Sequence, residues 1–298
     1  MRLGIFLGAP SNLDRFVADV KQARDDGFDS AWAAQVFSID ALTALAVAGR
    51  EVPDIALGTG VVPTYPRHPM MLAGQALTVQ AASGGRLILG IGLSHQIVVE
   101  GMWGYSFDRP ARHMKEYLAA LLPLLRGESV SSAGETIKAV GQTKVDGAGA
   151  PPVLLAALAP AMLRLAGSVA DGTVTWMVGP ATLEQHIVPT MAGAASAAGR
   201  PAPRVAVGLP VCVTDQVDEA RARAAKDLVM YGQLPSYRAM LDREGAAGPA
   251  DVAIVGDEAT VTAAIRRIAD AGGTDFVASC FGSSHEKERT RELLKSLV

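Results

Sequence analysis

The sequence carries little with which to do metal or thiol chemistry unaided. It has two cysteines and five histidines. No Cys-x-x-Cys pair occurs, which argues against a zinc site. Cys212 and Cys280 each lie in an apolar, strand-like run and read as core thiols of a reducing compartment. Aromatic residues make up only 5% of the chain, so alanine and valine must fill much of the interior. No basic block occurs and the formal net charge is −3, which disfavours a nucleic-acid partner. No stretch reaches the ~18 apolar residues of a membrane span. The most apolar later stretch, 152–166, is broken by Pro160 and Arg164. The first seven residues read as a short strand rather than the core of a signal peptide. A soluble, cytoplasmic protein is the expectation.

What the sequence has is alternation. Strands are expected at Leu3–Leu7, Ser30–Ala34, Ile55–Val61, Leu87–Gly92, Val153–Ala157, Gly172–Trp176, Val205–Val213 and Asp275–Ser279. Each is followed by a segment with apolar residues at helical spacing, such as Leu13, Phe16, Val20 and Ala23, or Met114, Leu118, Leu121 and Leu125. Asp40 and Asp257 stand where helix N-caps are needed. Residues 96–108 read as a long loop. Two regions break the rhythm: 127–150, read as a hairpin-like insertion, and 231–251, read as irregular. Eight strand–helix units at this length predict one domain over 1–298, a (β/α)8 TIM barrel with both insertions on it. An open dinucleotide-binding sheet would need Gly-x-Gly-x-x-Gly after its first strand. The chain reads Leu7-Gly8-Ala9-Pro10-Ser11-Asn12 there.

In such a barrel, chemistry sits at the carboxyl ends of the strands. Leu57-Gly58-Thr59-Gly60 and Leu89-Gly90-Ile91-Gly92 repeat one phrase a single βα unit apart. Glycine at a strand end costs packing and is most useful where something flat must approach the backbone. Thr59, Gly60 and Val61, with Gly92, Leu93 and Ser94, are therefore candidate cofactor contacts. His95 follows directly and can donate a hydrogen bond or a proton, which makes it the candidate catalytic residue; the alternative is a strand-capping histidine. Ala157, Leu158 and Ala159 run into a helix whose start Pro160 fixes, and unpaired amides at such a start form an anion site. The alternative there is a plain βα turn. His68 reads either as a ligand contact or as the residue that opens the helix at Pro69. Arg109, Arg112 and His113 could neutralise an anion or simply begin a solvated helix. Tyr231 and Tyr237 could line a substrate pocket or pack locally.

The rest of the rim excludes more than it offers. It lacks the carboxylate pair of a glycosidase, a strand-end lysine for a Schiff base, and a His-x-His on strand one for a metal-dependent hydrolase. No metal is expected. A rim of small residues, amides and one histidine suits a barrel whose chemistry belongs to an organic cofactor.

With these residues in place, the chain resembles the bacterial luciferase-like monooxygenase superfamily, most closely its deazaflavin (coenzyme F420) dependent oxidoreductases. The resemblance rests on Leu57-Gly-Thr-Gly-Val-Val-Pro63, Arg67-His-Pro-Met-Met-Leu-Ala73, Gly85-Arg-Leu-Ile-Leu-Gly-Ile-Gly92, Pro152-Val-Leu-Leu-Ala-Ala157, Leu163-Arg-Leu-Ala-Gly167 and Ala170-Asp-Gly172, in that order. It implies a ring system lying across the strand ends, beside a bulge after strand three that holds a non-prolyl cis peptide at Gly60-Val61. It also implies phosphate contacts from the amides of Ala157 and Leu158. The implied activity is hydride transfer between the reduced deazaflavin and a small organic substrate. An FMN-dependent monooxygenase and a non-catalytic flavin-binding protein are the alternatives, and a homodimer is a candidate assembly. Gln35 and Ser94-His95 stand where several deazaflavin enzymes carry acidic residues or histidine. These departures weigh against carrying their sugar-phosphate or hydrogen-carrier substrates over to this chain.

Overall fold

Strands and helices alternate throughout residues 1–298, all of which the computed structural model describes. The strands are β1 (Arg2–Phe6), β2 (Ser30–Ala33), β3 (Ala56–Thr59), β4 (Val62–Pro63), β5 (Leu87–Gly92), β6 (Ser129–Ala133), β7 (Lys138–Gln142), β8 (Val153–Leu155), β9 (Gly172–Trp176), β10 (Arg204–Val213), β11 (Ile254–Gly256) and β12 (Asp275–Cys280). Hydrogen bonding orders the main sheet β11-β10-β12-β1-β2-β3-β5-β8-β9, and β10 also pairs with β9. The path from β10 through β12, β1, β2, β3, β5, β8 and β9 therefore returns to β10. The result is the closed parallel (β/α)8 barrel that the alternation predicts.

Residue contacts group the chain into two units: Met1–Phe6, Ala23–Trp32 and Ala157–Val298 in the first, Leu7–Gln22 and Ala33–Ala156 in the second. In the first unit β10 is the central element, bonded in register to β9, β12 and β11. Its residues from Val205 to Val213 are all buried, as expected of a parallel strand covered on both faces. Gly172 is required by close backbone approach, since a Cβ there would lie 2.0 Å from the Arg204 carbonyl oxygen.

The amino ends of β1, β10 and β12 meet at a buried carboxylate. Asp275, 1% exposed, accepts from Arg204 Nε at 2.8 Å, from Arg2 Nη2 at 3.1 Å and from Thr274 Oγ1 at 2.7 Å. Burial alone would raise this carboxyl group. The hydrogen bonds from Arg204 and Thr274 and the two guanidinium charges outweigh it and hold Asp275 below the usual carboxylate range.

The last helix, Ser284–Lys295, begins with a reciprocal cap. Ser283 Oγ accepts from the Glu286 amide, and Glu286 accepts from the Ser283 amide at 2.7 Å. That backbone bond, with others from Ser283, Thr214 and Arg223, depresses Glu286 to about 2 against burial. A depressed carboxylate stabilises the fold above its unfolded pKa and loses that contribution as pH falls through the folded value. The Glu286→Gln variant is therefore expected to show a flatter stability profile than the parent between about pH 4.5 and pH 2. Parallel denaturation curves across this window would show the cap to be electrostatically idle.

In the second unit, Asp40 caps helix Ala41–Glu51 by accepting from the Thr43 amide at 2.8 Å. Helix Pro110–Leu125 buries Met114, Leu118, Leu121 and Leu125, the face that its periodicity predicts. The insertion over 127–150 contains the expected hairpin, with β6 antiparallel to β7. Glu116 fastens it, accepting from the Thr136 amide at 2.7 Å, the Thr136 hydroxyl at 2.6 Å and the Ile137 amide at 3.1 Å.

The structure corrects the sequence reading at several places. The third strand is not continuous over Ile55–Val61: it stops at Thr59 and resumes as β4. The 96–108 loop opens with a helix, Gln96–Gly101, too short to show a period. Residues 231–251 are mostly helical, within Val229–Gln233, Pro235–Glu244 and the 3-10 turn Pro249–Asp251. Prolines and glycines cut this region into pieces of a turn or two, so no apolar period survives. Strand β11 was not expected; its three residues pair in parallel beside Val211, Cys212 and Val213 of β10. The helical segment that follows β9 contains a π-helical stretch, Leu183–Ile187.

Candidate active site

The bulge between β3 and β4 is built from both glycine phrases. The Gly60-Val61 peptide is cis, as the resemblance implies. Thr59, wholly buried, donates from Oγ1 to the Gly90 carbonyl and accepts from the Gly90 amide, both at 2.8 Å. The Gly60 amide donates to the Ala33 carbonyl at 2.8 Å. Beyond the bulge, Val62 and Pro63 pair with Ile91 and Gly92.

This arrangement changes what the second phrase is for. A Cβ on Gly90 would lie 1.9 Å from the Thr59 carbonyl oxygen, and one on Gly92 would lie 2.8 Å from Val61 Cγ2 and 3.1 Å from Ala156 Cβ. Of these two, the sequence reading gave Gly92 to a flat ligand; the space a Cβ would fill at Gly90 is taken by Thr59, and at Gly92 by Val61 and Ala156. What the bulge presents is the half-buried Gly60 and Val61.

Leu93, Ser94 and His95 continue from β5 and are all half-buried. Ser94 adopts a left-handed conformation, φ 63°, which is uncommon outside glycine and turns the chain at the strand end. His95 then occupies the N-cap position of Gln96–Gly101 without a side-chain capping bond. Burial lowers its pKa below the ordinary value, so the imidazole is neutral at pH 7. A neutral imidazole can still donate one N–H.

The turn after β8 continues this edge along the chain. The Ala156 amide donates to the Ile91 carbonyl at 2.8 Å. Ala157 is buried, Leu158 half-buried and Ala159 exposed. Ala159 is the N-cap of the ten-residue helix Pro160–Val169 and provides no side-chain cap. In the first unit, His186 Nε2 lies 2.8 Å from the Leu158 carbonyl. A carbonyl only accepts, so Nε2 carries the proton. His186 is 7% exposed and sits on the π-helical stretch, so the turn is held from behind by a residue the sequence reading did not single out. One histidine inside a helical run gives no signal of such a role.

Other candidates resolve toward structure. His68 is the N-cap of Pro69–Ala82: Nδ1 accepts from the Met70 amide and Nε2 donates to the Lys138 carbonyl at 2.8 Å. Both ring nitrogens are thus used, one of them to tie down the hairpin. Arg109 and Arg112 pair with Glu135 of the β6–β7 turn rather than standing ready for an anion. His113 is buried, 3.1 Å from Thr64 Oγ1 and stacked on Tyr65 with ring centroids 4.1 Å apart. Burial pushes it down to about 4, against the pull of Glu116.

The first unit also places four aromatic rings in a chain, two at strand ends and two on short helices. Phe6 ends β1 and Trp176 ends β9, with centroids 5.6 Å apart. Tyr231 meets Trp176 edge-on at 6.0 Å, and Tyr237 meets Tyr231 at 5.1 Å. Two surface clefts, one beside 143–150 and one beside 247–251, contain none of the strand-end residues.

The luciferase-like monooxygenase family profile matches residues 1–286. The chain is 34% identical over 211 residues to 5,10-methylenetetrahydromethanopterin reductase of Methanolobus tindarius, a match covering 70% of this chain and 64% of that protein. It is 35% identical over 191 residues to a Mycobacterium tuberculosis protein named for coenzyme F420-dependent oxidoreduction, covering 58% of this chain and 54% of that one. Among solved structures, the coenzyme F420-dependent tetrahydromethanopterin reductase of Methanopyrus kandleri superposes with a TM-score of 0.83. The identity is 24%, over 100% of this chain and 98% of that one.

Proposed function

Because the chain belongs to the luciferase-like monooxygenase family, we propose that it is a coenzyme F420-dependent oxidoreductase moving a hydride between the deazaflavin and a small organic substrate. The observation that carries this reading is the bulge at Gly60-Val61 beside a strand-end rim with no carboxylate pair. The residues suit such a group. Gly60, Val61, Leu93 and Ser94 offer a half-buried, uncharged platform next to Thr59 and Gly92. The start of helix Pro160–Val169 has no side-chain cap, so the amides around Ala157, Leu158 and Ala159 suit an anionic group. His186 keeps that turn in shape through Leu158. When bound, the reduced deazaflavin supplies the hydride. The protein's task is to align donor and acceptor and exclude water. His95, neutral at pH 7, donates a hydrogen bond without placing a positive charge at the rim.

The test is titration of the apoprotein with oxidised F420 and with FMN. Binding of F420 at least about tenfold tighter, a difference of about 1.4 kcal/mol, is the expected result. Tight FMN binding with no detectable F420 binding would reassign the protein to flavin chemistry. Failure to bind either would remove the cofactor reading. In the same assay His95→Ala is expected to lower affinity or turnover by about two- to tenfold, the loss of one hydrogen bond. Little core packing is lost, so its melting temperature should match the parent. Parental affinity and rate together would return His95 to a purely structural place.

A further inference from the structure

In the second unit, the chain that leaves β5 folds back on itself over residues 95–108. The His95 carbonyl accepts from the Val98 and Val99 amides, both at 2.9 Å, and the Val98 carbonyl accepts from the Met102 amide at 3.0 Å and the Trp103 amide at 3.1 Å. Tyr105 returns to the Val99 carbonyl at 3.0 Å. Glu100 closes the far side, accepting from Gln96 Nε2 at 2.9 Å and from the Phe107 amide at 3.1 Å. All of these bonds stay inside the segment. It is seated on the rest of the unit through Val99, wholly buried, and Phe107, whose ring lies 5.6 Å from that of Tyr65. Ile97, Met102 and Tyr105 are left exposed. At each end stands a non-glycine residue in the left-handed region: Ser94, φ 63°, and Arg109, φ 52°. Such backbone is costly and clusters at ligand clamps and switches. Arg109 is also pinned by Glu135, which fixes that pivot to the hairpin.

Against this segment lies an unmet donor. The Tyr65 ring is stacked on His113 and touches Phe107, and its hydroxyl is buried with no hydrogen-bond partner. Burial, then the charges of Asp108 and Glu100, push this hydroxyl up to about 12, so it carries its proton at pH 7. A buried donor without an acceptor costs stability and calls for an explanation. Two carboxylates are near enough to act on it, and neither bonds it. Glu100 is committed to Gln96 and to the Phe107 amide. Asp108 is tied only within its own turn, accepting from the Ser106 hydroxyl at 2.8 Å, and it stands next to the Arg109 pivot.

We infer that residues 95–108 are a flap with two positions, pivoting at Ser94 and Arg109, and that the second position is locked by a hydrogen bond from the Tyr65 hydroxyl to the Asp108 carboxylate. The structure shows the unlocked position. Locking gives the orphaned donor an ionised acceptor, one of the stronger kinds of hydrogen bond. It costs Asp108 its turn with Ser106, so the two positions lie close in free energy and a bound molecule decides between them. The flap springs from the end of β5, beside Leu93 and the bulge at Gly60-Val61. That it encloses a cofactor rests on the oxidoreductase reading; the two positions themselves do not.

The experiment uses the full chain labelled with 5-fluorotryptophan, which puts one reporter, Trp103, inside the flap. Trp103→Phe assigns its resonance by loss, and the wholly buried Trp32 serves as the silent control. In the unliganded protein, fluorine relaxation dispersion is expected to show exchange at Trp103 and none at Trp32. Tyr65→Phe and Asp108→Ala should each remove that exchange. Tyr65→Phe deletes only an unbonded hydroxyl, so its melting temperature should equal or exceed the parent's, which guards against a folding defect. A flat Trp103 profile in the parent, or one that survives Tyr65→Phe, would overturn the inference. Titration with F420 and FMN then tests the coupling. Saturating cofactor should move the Trp103 resonance to the minor position, and Tyr65→Phe should weaken binding about three- to tenfold, the loss of one hydrogen bond. Adding Asp108→Ala to Tyr65→Phe should weaken it no further, because the two share one bond; losses that multiply would also overturn the inference. Exchange at Trp103 with neither cofactor binding keeps the flap and sinks the oxidoreductase reading. Cofactor binding with no exchange at Trp103 sinks the flap alone.

Discussion

Gly90→Ala is expected to destabilise the protein by about 3 kcal/mol or more, at the upper end of what overpacking costs. The new methyl group would stand 1.9 Å from the Thr59 carbonyl oxygen, which is backbone and has no rotamer to escape into. Moving that carbonyl disturbs the two 2.8 Å bonds between Thr59 Oγ1 and Gly90. It would also shift Gly60, whose amide is held by the Ala33 carbonyl. Chemical denaturation should therefore show a large fall in midpoint, and the surviving folded fraction should bind F420 poorly. Gly92→Ala is the informative companion, because its Cβ meets only the side chains of Val61 and Ala156. It should cost less stability while still displacing Val61. If Gly90→Ala denatures with the parent, the close approach of the two strands is wrong.

The second large effect is expected far from the rim. Asp275→Ala would leave Arg204, and the partly exposed Arg2, facing a buried void at the amino ends of three strands. Removing one partner of a buried ion pair typically costs about 3–5 kcal/mol, much of it the penalty on the charge left behind. Asp275→Asn should recover part of the loss, since an amide oxygen still accepts one of the arginine bonds. Both variants should bind cofactor normally when folded, because this end of a barrel serves stability rather than chemistry. The carboxyl group is held below its usual range, so the parent should lose this contribution only as pH falls below about 4. A parent-like denaturation midpoint in Asp275→Ala would show that Arg2 and Arg204 find water instead.

The barrel was legible because parallel strands and amphipathic helices leave different periods. The strand limits Leu87–Gly92 and Gly172–Trp176 hold to the residue. Caps were legible at Asp40 and Asp257, since the local side-chain bond is written into the sequence. The candidate site was readable only in part. Strand ends locate Thr59, Gly60, Ser94 and His95, but not what the glycines face. That Gly90 and Gly92 make room for the bulge depends on which backbone lies opposite, a property of register that one sequence does not display. Pairwise partners were likewise out of reach. Glu135 taking Arg109 and Arg112, and His186 taking Leu158, join residues more than twenty positions apart. The helices within 231–251 failed for a different reason: each is shorter than the window in which a period can be counted.

The lock between Thr59 and Gly90 bears on how such an enzyme can diversify. Residues whose atoms are committed to the backbone opposite are closed to substitution. Tyr231 and Tyr237 stand on short helical pieces, in a region where the chain doubles back between β10 and β11. A mutational library placed at those two positions leaves the bulge untouched, and its folded clones should keep the parent's cofactor affinity.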